Sequence, residues 1–327
     1  MKKTKKSSCN FRRVTLKQIN RKTKIEKSFD LHDLKYIKPI KKDLAVCLVY
    51  FNCIKSKRLL MNYLYVVEKF KIAGIPLFTI EMYEDSPEIA DAIHVKTDFI
   101  LFQKERLCHL LEKRIPESFT KLLFIDSDLV FQNLNWYNEL SQKLNSFNIV
   151  QPFEKGVWLD ITYTKIVKVR TPIVFYQKLG YRQADGGIGG YHPGFAWAFQ
   201  RDWFRKVGFF QYSILGCGDT HSSTAFTNYI HWTCPDYTAR AFEAYKKLIE
   251  ENKPSVCYLK GNIYHLWHGD QKNRQYSDRR EIFNDVEDIR DIIKVDKNGL
   301  FALKNDSLKK KIRAYFTNRF DDGLEIP

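Results

Sequence analysis

Residues 44–49 read Leu-Ala-Val-Cys-Leu-Val without a polar break, and this run limits the possible folds more than any other. A strand buried on both faces reads this way, and such strands belong to sheets covered by helices on each side. The next stretch agrees. Asn52 to Lys57 make a polar loop, after which Leu59, Leu60, Tyr63, Val66, Val67 and Phe70 recur at helical spacing. Gly74 and Pro76 end that helix, residues 77–80 form the next strand, and Glu81 closes it. This β-α-β opening predicts an α/β chain with a mostly parallel sheet flanked by helices.

Residues 102–114 read as a second helix, with Leu107, Leu110 and Leu111 on its apolar face. An apolar run at 121–131, a helix at 136–144 and a strand at 148–151 follow. Between 153 and 195 the pattern loosens into aromatics and a glycine-rich loop, 185–194. That loop lacks the G-x-G-x-x-G order of a dinucleotide site, and both a substrate loop and an ordinary cluster of turns fit it. Downstream come a strand at 195–199, a short helix at 201–207, helices at 221–229 and 238–251, and a strand-like run at 256–267. The remainder, from Asp278, reads as charged and mostly helical. The expected organisation is a basic flexible arm (1–42), one domain in two halves (43–150 and 151–275), and a helical extension packed on it (276–327).

The net charge of +16 is unevenly spread. Residues 1–42 hold 15 Lys/Arg and 3 Asp/Glu, so the rest of the chain carries only +4. The basicity belongs to the arm, which reads either as a solvated leader or as a contact for an anionic membrane or a partner. No specific nucleic acid is expected. Seven scattered cysteines form no Cys-x-x-Cys pair, so neither a zinc site nor a disulfide framework is indicated. No apolar stretch approaches the ~20 residues of a membrane span, and the N-terminus lacks the apolar core of a signal peptide. The expected location is the cytoplasm, or the cytosolic face of a membrane.

The chemistry concentrates in two segments. The run 121–131 delivers Asp126 and Asp128, separated by Ser127, at what reads as the carboxyl end of a strand. Ligands of open α/β sheets gather there, and two hard oxygen donors suit a divalent cation that also holds phosphate oxygens. His265 and His268 follow a later apolar run. Asp219, after Gly216-Cys217-Gly218, reads as a general base or as a helix N-cap, and the two roles are compatible. Each motif has an ordinary reading by itself. An Asp pair serves turn chemistry, and His-x-x-His occurs without any metal.

Order and spacing together carry more. Val49-Tyr50-Phe51-Asn52 with Lys57-Arg58, the segment 102–107 (Phe-Gln-Lys-Glu-Arg-Leu), and Phe124-Ile125-Asp126-Ser127-Asp128-Leu129 follow one another. Then come Pro193-Gly194-Phe195-Ala196-Trp197-Ala198, Gly216-Cys217-Gly218-Asp219, and His265-Leu266-Trp267-His268 with Asp270-Gln271-Lys272-Asn273. In this order they resemble the GT-A-fold glycosyltransferases, and among them the β-1,4-galactosyltransferase-like inverting enzymes, over residues 44–275. The departures are Gly218 where that family has Glu, Thr220 where it has an acid, and Leu215 near the position of a Trp.

The resemblance implies a Rossmann-like GT-A domain with a nucleotide-sugar half and an acceptor half. It implies a UDP-sugar donor, a glycan or other hydroxyl acceptor, and Mn²⁺ or another divalent cation. Asp126, Asp128 and His268 become metal-site residues, with His265 as a further ligand, and within that set Asp126 is better placed for the ribose or a metal-bound water. Phe51, Asn52, Arg58, Glu81, Lys104, Arg106 and Ser127 fall on the donor side. Tyr191 and Trp197, with Trp158, offer sugar-stacking faces, and Asp219 is the catalytic base. Two other readings compete: a metal-dependent nucleic-acid-processing or nucleic-acid-binding protein, and an inactive sugar-binding relative.

Overall fold

The computed structural model describes residues 31, 34–178, 191–229, 232–270 and 278–323. Most of the basic arm, Asp185 to Gly190 of the glycine-rich loop, and the Gln271-Lys272-Asn273 segment lie outside the described residues. Of the stretch 1–42, Leu31, Leu34 and Tyr36 are buried in the core. The Tyr36 hydroxyl donates to the Phe131 carbonyl and accepts from the Phe131 N–H, at 3.2 and 2.9 Å.

β1 (Leu44–Tyr50) is buried along nearly its whole length, as its unbroken apolar sequence requires. α1 (Lys57–Ile72) starts at Ser56, whose hydroxyl accepts from Leu59 N–H at 3.1 Å. It buries Tyr63, Val66, Val67 and Phe70 on one face and ends before Gly74, which takes a left-handed φ of 67°. β2 (Leu77–Tyr83), β3 (Ile93–Lys96), α2 (Lys104–Glu112), β4 (Lys121–Ile125), β5 (Leu129–Phe131), α3 (Trp136–Lys143) and β6 (Ile149–Gln151) follow. Next are β7 (Lys155–Leu159), β8 (Ile166–Pro172), α4 (Ile173–Lys178), β9 (Tyr191–His192), β10 (Ala196–Gln200) and α5 (Arg201–Lys206). α6 (Gly218–Thr227), α7 (Asp236–Glu251), β11 (Val256–Tyr258) and β12 (Asn262–His265) complete the part that carries the site.

The main sheet has seven strands in the order β11-β6-β10-β4-β1-β2-β3. All its pairings are parallel except those of β10, which runs antiparallel to both neighbours. A second sheet, β5-β12-β7-β8-β9, leans on the carboxyl end of β4. Apolar clusters fill the space on either side of the main sheet, one centred on α1 and α3, the other on α2, α5, α6 and α7. Arg201 clamps the far end of α2. Its guanidinium, 2% exposed, binds the Glu112 carboxylate and the carbonyls of Glu112, Ile115, Pro116 and Phe119 at 2.7–3.0 Å.

Two apolar runs that read as single strands are each divided. The run 121–131 leaves one sheet after Ile125 and enters the other at Leu129. The run 256–267 divides at Gly261, which has φ 110°. The stretch 153–195 contains β7, β8, α4 and β9. β8 was illegible because its alternation is inverted: Val167 and Val169 face solvent while the Lys168 ammonium lies 4.9 Å from the centre of the Trp158 ring. After Asp278 the chain is not mostly helical. It forms a 3₁₀ turn, α8 (Ile289–Ile292), an antiparallel ladder of β13 (Ile293–Val295) with β14 (Phe301–Leu303), and α9 (Lys309–Thr317). Asn298-Gly299 in the connecting loop is the hairpin signal for that ladder. Among the described residues, no helix is long and apolar enough to cross a membrane.

Candidate metal centre and acidic cleft

Where the two sheets join, Asp126, Ser127 and Asp128 make the turn from β4 to β5. β12 runs antiparallel beside β5 with His265 opposite Leu129, and Leu266 N–H donates to the Asp128 carbonyl at 2.8 Å. That register sets His265 next to Asp128. On an uninterrupted strand His268 would face the opposite side. β12 stops at His265, however, and beyond the strand end the chain returns His268 to the same point, with Gly269, at φ 82°, turning it away afterwards.

Three donor atoms converge there. Asp128 Oδ2 lies 2.8 Å from His268 Nε2 and 3.6 Å from His265 Nε2, and the two imidazole nitrogens are 3.2 Å apart. Donors placed about 2.1 Å from one ion would sit about 3.0 Å apart at right angles and about 3.4 Å apart at the tetrahedral angle. The observed separations bracket those values. Two imidazoles and one carboxylate suit Mn²⁺, Fe²⁺, Co²⁺ or Zn²⁺, so the residues present fit a divalent cation. Asp128 and His268 are buried, and the His265 ring stacks on Phe195 at 5.3 Å.

The C-terminal segment backs this corner. Asp321 Oδ1 stands 3.8 Å from His268 Nδ1, and the backbone of Phe320 and Asp321 packs against Gly269, where a Cβ would come within 2.7 Å of the Phe320 carbonyl. At 3.8 Å the pair is too far apart for a hydrogen bond, so the carboxylate acts on the ring through its charge. Asp321→Asn is therefore expected to weaken Mn²⁺ binding, by less than the about 10–100-fold that follows loss of a hydrogen-bonded outer partner. Calorimetric titration checks it, and an unchanged Mn²⁺ affinity would reduce Asp321 to a packing role. The neighbouring Asp322 caps α1, accepting from Ser56 Oγ, Lys57 N–H and Arg58 N–H at 2.6–3.1 Å.

Asp126 takes a different direction from Asp128. Its Oδ1 accepts from Lys104 Nζ at 3.0 Å, and both residues line a narrow cleft together with Glu105, Phe195, Trp197 and Asp219. Burial pushes the Asp126 carboxyl above its usual range, Lys104 opposes the shift, and the charge of Asp128 adds to it. For Lys104 burial acts downward, but Asp126, Glu105 and Asp219 outweigh it and hold the ammonium protonated. Glu105 is pushed up to about 7 by burial, with Lys104 opposing and Asp219 reinforcing. The cleft is thus three acids around one cation.

Asp219 is the second residue of α6. The N-cap position belongs to Cys217, at φ 75°, and Asp219 Oδ1 accepts from Thr220 N–H at 2.8 Å. Asp219 is therefore not the N-cap residue, although it satisfies one N–H of the first turn. Gly194 makes room for it, since a Cβ at 194 would overlap the Asp219 carboxylate. Phe195 joins the two halves of the site: its carbonyl accepts from Asp126 N–H at 3.0 Å while its ring covers His265.

The remaining residues singled out from sequence are spread more widely. Arg58 lies near the metal corner, with its guanidinium 5.2 Å from the Trp267 ring centre and bonded to the Tyr163 hydroxyl at 3.2 Å. Ser127 sits half-buried in the aspartate turn. Asn52 shapes the loop before α1 by bonding both the N–H and the carbonyl of Ser56. Phe51 packs edge-on against Phe102. Glu81 accepts from Glu88 and Ile89 N–H at 2.6 and 2.9 Å and borders a second, smaller pocket with Asn52. Arg106 leaves the cleft altogether, bonding the Gly299 carbonyl and Gln211 Oε1 at 2.7 and 2.8 Å.

Tyr191 is buried against Tyr176 and Tyr229. Trp197 is buried as well, donates to the Pro193 carbonyl at 2.8 Å, and lines the cleft. Trp158 packs on Phe195 and His192. His221 is enclosed, bonded to Ser213, Cys217 and Thr238 and stacked on Phe210, so it is no substitute base. Sequence reasoning passed over Glu105 and Asp321. The first reads in the sequence as one more charged residue at a helix start. The second lies too far along the chain for any spacing rule.

No protein-family model matches the sequence, and no curated protein matches it. Solved structures resembling the chain include two of the Drosophila β1,4-galactosyltransferase 7. One is the catalytic domain with xylobiose, at 12% identity and TM-score 0.33, covering 66% of this chain and 64% of that one, just under two thirds of its length. The other is a mutant form with manganese, UDP-Gal and xylobiose, at 11% identity and TM-score 0.39, covering 82% and 98%. A third is glucosyl-3-phosphoglycerate synthase of M. tuberculosis, at 12% identity and TM-score 0.38, covering 76% and 82%.

Proposed function

We propose that the chain is a metal-dependent nucleotide-sugar transferase of GT-A type that moves a sugar from a UDP-sugar to an acceptor hydroxyl with inversion. The observation that carries this reading is one turn, 126–128, serving two sites. Asp128 joins His265 and His268, while Asp126 faces Lys104 in a cleft shared with Asp219. Asp128, His265 and His268 would hold the cation, which when bound supplies Lewis-acid neutralisation of diphosphate charge. Lys104, kept protonated, places a second positive charge beside the leaving diphosphate.

In the transfer the acceptor oxygen attacks the anomeric carbon as the bond from that carbon to the diphosphate oxygen breaks. The bonding pair leaves with UDP, and the acceptor proton passes to Asp219. A single displacement inverts the anomeric centre.

A panel of UDP-sugars incubated with Mn²⁺ tests the reading. UDP release from at least one donor, stopped by EDTA, is the expected result. The same donor set also takes Fe²⁺ in oxygen-activating enzymes, and the absence of UDP release with every donor and every divalent cation would favour that reading or an inactive relative.

A further inference from the structure

Glu105 is an acid in the cleft to which the transfer scheme gives no task. It is the second residue of α2, 2% exposed, and its Oε2 has no hydrogen-bond partner among the described residues. Burying a carboxylate oxygen without a partner is costly, and such groups call for a ligand or another specific cause. Room has been made for it as well. A Cβ at residue 218 would overlap the Glu105 carboxylate, so Gly218 is tied to the presence of Glu105.

Position along the cleft indicates what Glu105 meets. On one side its chain neighbour Lys104 holds Asp126, at the diphosphate end. On the other, Gly218 adjoins Asp219, the proton acceptor. The group that lies between a diphosphate anchor and the acceptor's base is the sugar being transferred. A carboxylate there accepts hydrogen bonds from sugar hydroxyls, which are good donors.

We infer that Glu105 is a specificity-determining residue whose unpaired oxygen receives a hydroxyl of the transferred sugar. The inference rests on the transferase reading and adds the means by which the site tells one UDP-sugar from another. It also accounts for Gly218.

The test is calorimetric binding of UDP, UDP-glucose, UDP-galactose and their N-acetylated counterparts to the full chain with Mn²⁺. Wild type should bind one UDP-hexose more tightly than UDP. Glu105→Met should reduce that advantage about 10–100-fold, the range for a hydrogen bond to a charged group, and leave UDP affinity within about twofold. Glu105→Gln, which keeps a carbonyl acceptor at the same place, should recover part of it. A hexose advantage that survives Glu105→Met, or its absence in wild type, overturns the inference while leaving the transferase reading intact. If Glu105→Met does not fold, an unaltered ranking of donors in Glu105→Gln overturns it equally. Failure of wild type to bind UDP at all would remove the transferase reading and this inference together.

Discussion

Asp128→Ala should abolish Mn²⁺-dependent UDP binding. Asp128 supplies the only carboxylate oxygen of the three-donor cluster found among the described residues, and its Oδ2 is within 3.6 Å of both imidazole nitrogens. Two neutral imidazoles remain in the variant, and they hold a hard divalent cation poorly without an anionic partner. The diphosphate then loses its bridging charge. Calorimetry of UDP with Mn²⁺, repeated in EDTA, reads the effect directly. Wild-type affinity that EDTA leaves untouched would sink the metal reading. His268→Ala should act almost as strongly, because His268 makes the shortest approach to Asp128. His265→Ala should weaken Mn²⁺ binding less or shift the preferred cation. A metal-bound structure with both imidazoles remote from the ion would refute the histidine assignment whatever the activities were.

Asp219→Asn should leave UDP-sugar affinity nearly unchanged and lower turnover by about 10²–10⁴-fold, the scale of a lost general base. The geometry makes this a clean experiment. Asp219 is not the cap of α6, and an amide oxygen can still accept from Thr220 N–H, so the helix has no reason to unravel. Steady-state kinetics with a saturating donor separates the two quantities. Near-wild-type turnover would place the base elsewhere. His221 is shut inside the α6–α7 contact, which leaves Glu105 as the next acid in the cleft.

Much of the frame was legible because local rules and tertiary context agree there. The unbroken run at 44–49 becomes β1, the helical spacing after Ser56 becomes α1, and the second strand and α2 follow within a few residues. The aspartates and histidines were visible as motifs for the same reason: each lies at the end of an apolar run. What stayed hidden was long-range. Nothing local distinguishes 121–131 as one strand from two strands in different sheets, yet that division sets Asp126 against Lys104 and Asp128 against the two histidines. Arg106 and Lys104, two residues apart on one helix, end on opposite errands because one meets the C-terminal hairpin and the other meets Asp126.

The sequence by itself determined the elements and the chemical types available, since hydrophobic period, turn residues and motif order are properties of neighbouring positions. Only the tertiary structure decided which groups share a point in space. The pairing of β12 with β5 and the end of β12 at His265 brought two histidines to Asp128. The approach of α2 to α6 set Glu105 against Gly218, and the C-terminal segment set Asp321 behind His268. Those contacts join residues from 53 to 140 positions apart, and they depend on register and packing. A change of one residue in a strand's register reverses every side chain on it, and no local spacing rule records that choice.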